Sequence, residues 1–458
     1  MEKVTWQQFG LKKNPYDTLP LIEGGDLAIE KAFVGRIEEM NMLNRLFESS
    51  ERLCVAICGN TGVGKTSLAN FHKFLWKYTH KQKLLFSFRR EIEASDNVLD
   101  KRSFLIEIIG SVLRELQLMQ PELLKEELLQ KLTYIVDISK ESTLTGGGLS
   151  VGGFGFDLSR EKTASQPIQL SIAMLEQYFI LLVEFIRKTK IRDKVYNGLI
   201  VHVNNFDIVL EEENGKKRVI QFFQEMRDLL QTPNVYFLFL GPRNLFKDVI
   251  SSQKRIKSVF VQTPIVVEPL SKTEIIQAFD ERMNLLKSDD IVRYIKPIDD
   301  EVIFRLYDLY EGDIRLIMSA LGDILNQWPG AAAKSLSIAE AMLLLGRERW
   351  GTIPSSVLTP EKKKILVYLI QSGKYISQKE VAQLFNKAET NISSYYFKDL
   401  KERNIIEEKG NKGKMIYWGL TKNYEPLQFF LESQNKIKDN IISQAEQLSL
   451  FDEKINSH

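Results

Sequence analysis

The chain has 458 residues, enough for about three domains of ordinary size, and its 44% hydrophobic and 27% charged content is that of a packed globular protein. A net charge of +2 neither demands nor excludes nucleic acid, so local charge has to decide. The two cysteines, Cys54 and Cys58, suit buried reduced thiols, and the four scattered histidines (His72, His80, His202, His458) supply no metal-ligand cluster. No apolar signal segment opens the chain. The longest apolar stretch, Tyr178 to Ile186, is interrupted by Glu184 and too short to span a bilayer, so a soluble, cytoplasmic protein without a membrane partner is expected.

Residues 1–33 read as an arm, with Trp6, Phe9, Leu11 and Tyr16 punctuated by Pro15 and Pro20, expected to pack on the next domain. Residues 34–265 alternate strand-like runs (Leu53–Cys58, Leu84–Phe88, Leu199–Val203, Val235–Leu240) with helical patterns. That alternation predicts an α/β core, a parallel sheet with helices on both faces. The first run leads into Gly59-Asn60-Thr61-Gly62-Val63-Gly64-Lys65-Thr66, a G-x-x-x-x-G-K-T phosphate loop without a mismatch. Glycines let backbone N–H groups wrap a triphosphate, Lys65 reaches the outer phosphates, and the Thr66 hydroxyl ligates Mg²⁺. Gly59 to Ser67 are therefore the expected contacts of ATP with Mg²⁺. A helix is predicted from Ser67 to Lys77 with Leu68, Phe71, Phe74 and Leu75 on one side.

Further along, a glycine-rich insertion over residues 142–159 partly alternates polar and apolar residues and reads as a β-hairpin. A surface excursion is favoured over a contact element for a second subunit or DNA. Residues 266–345 lose the strand signal and read as a helical lid, and Pro354 and Pro360 mark a linker. Residues 358–425 carry a helix-turn-helix pattern: Thr359 to Gln371, a second helix opened by Ser377-Gln378-Lys379-Glu380 with Val381, Leu384 and Phe385 inward, and Ala388 to Glu402. Ile405–Glu408 and Met415–Trp418 then flank a basic, glycine-bearing tip, which reads as a wing. From Leu358 to Lys422 there are 12 Lys and 1 Arg against 6 Glu and 1 Asp, a local +6 that favours phosphate contact. The outward candidates for DNA are Thr390, Asn391, Ser394, Tyr395 and Lys398 on the third helix, with Lys412 and Lys414 on the wing. Residues 426–458 read as a polar helix and tail.

Several motifs accompany the phosphate loop in a fixed order. Phe33-Val34-Gly35-Arg36-Ile37-Glu38-Glu39-Met40 precedes it; Asn204-Asn205-Phe206-Asp207 and Gly241-Pro242-Arg243-Asn244 each end an apolar run. Arg255-Ile256-Lys257-Ser258, Glu268-Pro269-Leu270-Ser271 with Glu274 and Arg282, and Gly312-Asp313-Ile314-Arg315 follow. This order resembles AAA+ ATPases of the origin-recognition initiator type and the related signal-transduction ATPases, from residue 33 to about residue 425. The resemblance implies that Val34, Gly35 and Arg36 border the adenine, that Asn244 senses the γ-phosphate, and that Arg315 reaches it from the lid. Arg255 matches an arginine finger that would enter a neighbouring subunit's site, although a plain surface arginine is the favoured reading.

The family usually ends its second strand motif in two acids, one holding the Mg²⁺ shell and one polarising the attacking water. Here Asn204 and Asn205 stand there. An amide can accept a hydrogen bond, but it can neither act as a base nor neutralise Mg²⁺. Asp207 is a partial substitute, and slow hydrolysis is favoured over ordinary turnover. In the tail, Gln447-Leu448-Ser449-Leu450-Phe451 resembles the peptide by which many bacterial proteins bind the replicative sliding clamp, with Gln447, Leu448, Leu450 and Phe451 as contacts. Two functions are therefore expected. One is a DNA-associated ATP switch, self-assembling or recruiting a partner, in bacterial DNA transactions or defence. The other is a signal-transduction ATPase gating a separate effector protein, with the winged helix as a docking surface.

Overall fold

The computed structural model describes residues 6–144, 170–328, 334–372, 375–412 and 415–433. The predicted hairpin lies outside them apart from its first residues, which end a helix, Glu127–Leu144. Lys414 and the tail residues Gln447, Leu448, Leu450 and Phe451 also lie outside them. The chain divides into two compact units, Leu19–Leu270 and Met1–Thr18 with Ser271–His458.

The Leu19–Leu270 unit is built on a sheet of six parallel strands: β1 Leu53–Gly59, β2 Phe86–Ser87, β3 Ile92–Glu93, β4 Leu199–Asn204, β5 Val235–Gly241 and β6 Ile265–Val267. The order is β2-β4-β5-β1-β6, and β3 continues the β2 edge by pairing with β4 farther along. β1, β4 and β5 are buried throughout, which is why they read as unbroken apolar runs rather than alternating ones. Successive side chains still part to opposite faces. Cys54, Ala56, Cys58, Val201, Val203, Phe237 and Phe239 join a core with helices Lys101–Met119, Ile172–Lys188 and Gly215–Met226. Val55, Ile57, Ile200, Leu238 and Leu240 join a second core with helices Ile37–Glu48 and Lys65–Tyr78. Both cysteines are free and buried, and burial pushes the Cys58 thiol up to about 11.

The other unit holds helices Lys272–Leu286, Asp300–Tyr310, Ile314–Gln327 and Ile338–Thr352. The arm does not pack as expected from its sequence. Its first part belongs here: Phe9 meets Trp328, Tyr16 sits edge-on to Phe279, and the buried Arg282 donates to the carbonyls of Pro15 and Asp17. Only from Leu19 onward does the arm belong to the sheet unit.

The last module has helix Pro360–Ser372, β7 Ile376–Ser377, helix Gln378–Leu384, and a helical run Glu389–Asn391, Ile392–Phe397 and Lys398–Glu402 whose middle is a π-turn. β8 Ile406–Lys412 and β9 Met415–Leu420 close an antiparallel sheet in the order β7-β9-β8. The module's helices pack against this small sheet. Its core gathers Ile365, Leu369, Val381, Ile392, Phe397, Leu400 and Trp418. Leu384 is 55% exposed instead of facing inward, because the second helix ends there and Val381 and Ala382 supply its buried face.

Candidate functional site

β1 runs into the phosphate loop, and helix Lys65–Tyr78 starts directly after it. The loop's shape depends on missing side chains. A Cβ on Gly59 would stand 2.5 Å from the Val267 carbonyl of β6, and Gly64 sits at φ +93, where L side chains are strained. Lys65 is buried, and its ammonium donates to the carbonyls of Gly59 (3.0 Å) and Asn60 (2.9 Å), so its charge is held against the loop at the positive end of a 14-residue helix. The loop carbonyls of Gly59 and Asn60 are taken up by Lys65, which leaves the loop and helix N-terminal amides and the buried ammonium as the donors at this end of the helix. That set fits the phosphates of a nucleotide.

Arg36 ties the preceding motif to this loop. Gly35 and Arg36 both have positive φ, and Arg36 caps helix Ile37–Glu48 in the left-handed region. Its buried guanidinium donates to the Val63 carbonyl at 2.7 Å and to the Glu268 carbonyl, and pairs with Glu39 at 3.1 Å. Arg36 thus joins the phosphate loop, the end of β6 and the helix that starts at Ile37. Val34 is flanked by Phe33, which stacks on Phe71 of the loop's helix at 4.2 Å. The Glu268 carboxylate pairs with Arg243, a contact that sequence reasoning did not find, though both residues lie in the noted motifs.

β5 lies between β1 and β4, so the strand ending near Asn244 separates the phosphate-loop strand from the one ending at Asn204. Asn204 is nonetheless brought to the loop: its Nδ2 donates to Thr66 Oγ1 at 2.9 Å. Asn205 turns the chain at φ 67 and caps helix Phe206–Glu211. Asparagine tolerates that left-handed conformation better than other side chains with a Cβ, which accounts for the amide independently of chemistry. Asp207 follows in the first turn and is half-buried. Asn244 is exposed and precedes the helical turn Leu245–Ile250. Arg255 is exposed on the short helix Lys254–Lys257. Arg315 belongs to the other unit, exposed at the start of helix Ile314–Gln327, where the Asp313 side chain accepts from its backbone N–H.

The loop's helix departs from its predicted face. It buries Leu68, Ala69, Asn70, His72, Lys73, Trp76 and Lys77, leaving Phe71, Phe74 and Leu75 half-covered. Of its polar members, Asn70, Lys73 and Lys77 have hydrogen-bond partners, as does Ser67 beside them, while the His72 ring has none among the described residues. The Ser67 hydroxyl accepts from the Leu21 N–H (3.2 Å), and Asn70 Nδ2 donates to the Leu21 carbonyl (3.0 Å). Lys73 donates to the carbonyls of Phe88 and Arg89, and burial lowers its pKa to about 8. Lys77, fully buried, bonds Glu115 at 2.7 Å and Glu23 at 3.0 Å, and Arg89 lies 3.3 and 3.4 Å from the same two carboxylates. Ser67, expected on the nucleotide, is therefore also a strap point for residue 21. No sequence signal marks this column, since its partners are backbone carbonyls and residues remote in sequence.

In the last module, Thr390, Asn391, Ser394, Tyr395 and Lys398 are all exposed and share one side of the third helix. The helix is held from behind: Lys362 pairs with Asp399, and the Tyr396 hydroxyl donates to Glu361 at 2.6 Å. Lys362 also lies 4.4 Å from the Tyr395 ring. Lys412 ends β8 opposite Met415. Among the described residues there is no cluster of three or more metal-binding side chains and no helix long and apolar enough to cross a membrane.

No family model and no curated protein matches the chain. Among solved structures, it is similar to the Aeropyrum pernix ORC2 protein in ADPNP–ADP complexes, at 13% identity and TM-score 0.47, covering 94% of this chain and 100% of that one. It is also similar to the Aeropyrum pernix ORC1 protein in complex with DNA (13%, TM-score 0.42, 87% and 93%) and to a Thermotoga maritima RuvB variant (12%, TM-score 0.37, 84% and 92%). At these values the likenesses carry nothing about what this chain binds. The sheet order with β5 between β1 and β4, and the loop between β1 and its helix, are those of a phosphate-loop α/β fold with helices on both faces of a parallel sheet.

Proposed function

We propose that the chain is an ATP-binding AAA+ switch that works on DNA. The observation that carries this is the phosphate loop: a buried Lys65 on a loop whose shape needs Gly59 and Gly64, braced by Arg36, at the start of a long helix. Gly59 to Ser67 would hold the phosphates and Val34 to Arg36 the base, and Thr66 is the hydroxyl that a Mg²⁺ arriving with ATP would meet, with no acid at 204 or 205 to anchor it. Asn244 and Arg315 would sense the γ-phosphate, and Arg255 would meet a neighbouring subunit. With Asn204 and Asn205 in place of acids, and only Asp207 beyond them, hydrolysis would be slow and the bound nucleotide would act as a state marker. The test is nucleotide binding by calorimetry. Wild type should bind ATP and Lys65→Ala should lose at least about tenfold in affinity; equal binding by both would remove the phosphate loop from the reading.

For DNA, the support is the exposed stripe Thr390, Asn391, Ser394, Tyr395 and Lys398 on the third helix, in a module whose sequence carries a net +6; Lys412 and Lys414 would add phosphate contacts. The tail would recruit a bacterial sliding clamp through Gln447, Leu448, Leu450 and Phe451, which places the protein in DNA replication, repair, mobile-element or defence work. A pull-down from bacterial lysate checks it: the clamp should come with wild type and not with Leu450→Ala/Phe451→Ala, and its absence from both makes the motif a coincidence. One observation favours a second reading. The Asn204–Thr66 hydrogen bond suits a protein in which nucleotide exchange, not turnover, gates a separate effector.

A further inference from the structure

We infer that nucleotide binding at the phosphate loop is largely independent of divalent cations, so that metal-free ATP or ADP is as good a ligand as the magnesium complex. This rests on the reading that the loop binds nucleotide.

The argument starts at one hydroxyl. Thr66 Oγ1 has one proton to give and two lone pairs to offer. It accepts a hydrogen bond from Asn204 Nδ2 at 2.9 Å, and Asn204 is itself buried. A carboxylate at position 204 would be an acceptor only. It would take the Thr66 proton and turn the lone pairs toward a cation. The amide does the reverse: it takes one of the two lone pairs, leaves the hydroxyl proton without that acceptor, and brings no negative charge to hold a cation. Turned the other way, its oxygen would accept the Thr66 proton yet still bring no charge.

The neighbouring groups do not restore what the amide lacks. Mg²⁺ in nucleotide sites is held through one or two carboxylates together with the phosphates. Position 205 is a second amide, fixed at φ 67 as a helix cap. Glu268, whose carbonyl is bonded to Arg36, has its carboxylate paired with Arg243. Asp207, the acid beyond the two amides, is half-buried in the first turn of helix Phe206–Glu211, and it is Asn204, not Asp207, that is bonded to Thr66. The residues at this site therefore do not fit a tightly held Mg²⁺.

The same substitution changes what the phosphates meet. In a site with paired acids, a metal-free triphosphate lies beside like charges, and the cation is needed to offset the repulsion. Here both positions are neutral, and the facing charge is the buried Lys65 ammonium. Free nucleotide thus loses its penalty while the magnesium complex loses its anchor, and the two affinities converge.

The experiment is calorimetric titration of the full chain with ATP, in magnesium and in EDTA, for wild type and for Asn204→Asp. Wild-type affinities in the two buffers should agree within about threefold, whereas Asn204→Asp should bind at least about tenfold more weakly in EDTA than in magnesium. The wild-type comparison stands by itself if the variant does not fold. A wild-type loss of about tenfold or more in EDTA overturns the inference and leaves the nucleotide reading intact. Absence of ATP binding in both buffers, with Lys65→Ala indistinguishable from wild type, overturns both.

Discussion

His72 and His202 are fully buried, and among the described residues neither ring has a hydrogen-bond partner. His72 packs edge-on to Phe47, and His202 lies inside β4 with the Lys73 charge nearby. Burial holds both imidazoles neutral, lowering His72 to about 3 and His202 well below its ordinary value. In the unfolded chain each titrates near about 6.5. Below that pH the unfolded state takes up protons that the folded state refuses, so stability is level above it and falls as pH drops toward 3. Each group contributes about 1.4 kcal/mol per pH unit in that window. The melting temperature should therefore fall between neutral pH and about pH 5, and His72→Leu should show a clearly shallower fall; parallel melting curves for the two proteins would contradict this. Neither histidine was readable as buried from the sequence, because an imidazole's state depends on neighbours that only folding assembles. Lys65 and Arg36, by contrast, stood in motifs, and their positions follow from them. What the motif did not give was the partner of Thr66, since it pairs residues 66 and 204 across the fold.

The strands β1, β4 and β5 were legible because each is covered on both faces and so is apolar along its length. β3 and β6 were not, being two and three residues long, whereas the equally short β2 lies in the longer apolar run Leu84–Phe88. The phosphate-loop helix was legible as a helix but not in its orientation, because its buried side carries Asn70, Lys73 and Lys77. These polar groups are tolerated there only through their partners, and the Lys77–Glu115–Glu23 cluster is the extreme case. Removing one carboxylate leaves a buried ammonium short of charge, which costs about 3–5 kcal/mol. Glu115→Ala should thus lower the urea midpoint markedly, with nucleotide affinity at the other end of the helix changed much less; an unaltered midpoint would show the cluster to be energetically idle. The last module, in its helices and two-strand ribbon, was legible for the opposite reason. Its capping residues, helix lengths and basic tip are local, so the pattern needed no long-range pairing, and the error at Leu384 fell at a helix end.

Across the molecule, the sequence order of phosphate loop, paired asparagines, helical segment and basic module corresponds to two units. One carries the nucleotide loop and the other carries Arg315 with the third-helix stripe. The account makes nucleotide the regulator of DNA contact, which requires the two units to be energetically coupled. Sequence alone suggested this through the motif order, but it assigned the whole arm to the sheet unit. Residues 6–18 belong with the helical unit, because Phe9 and Tyr16 find aromatic partners there and Arg282 finds carbonyls. The measurement that tests the central claim most directly is duplex-DNA affinity by fluorescence anisotropy, with ATP and with ADP at fixed salt. The account predicts an affinity difference of about five- to tenfold between the two nucleotides, abolished in Lys65→Ala. DNA affinity that is the same with either nucleotide, or DNA binding that cannot be detected with both, would contradict it.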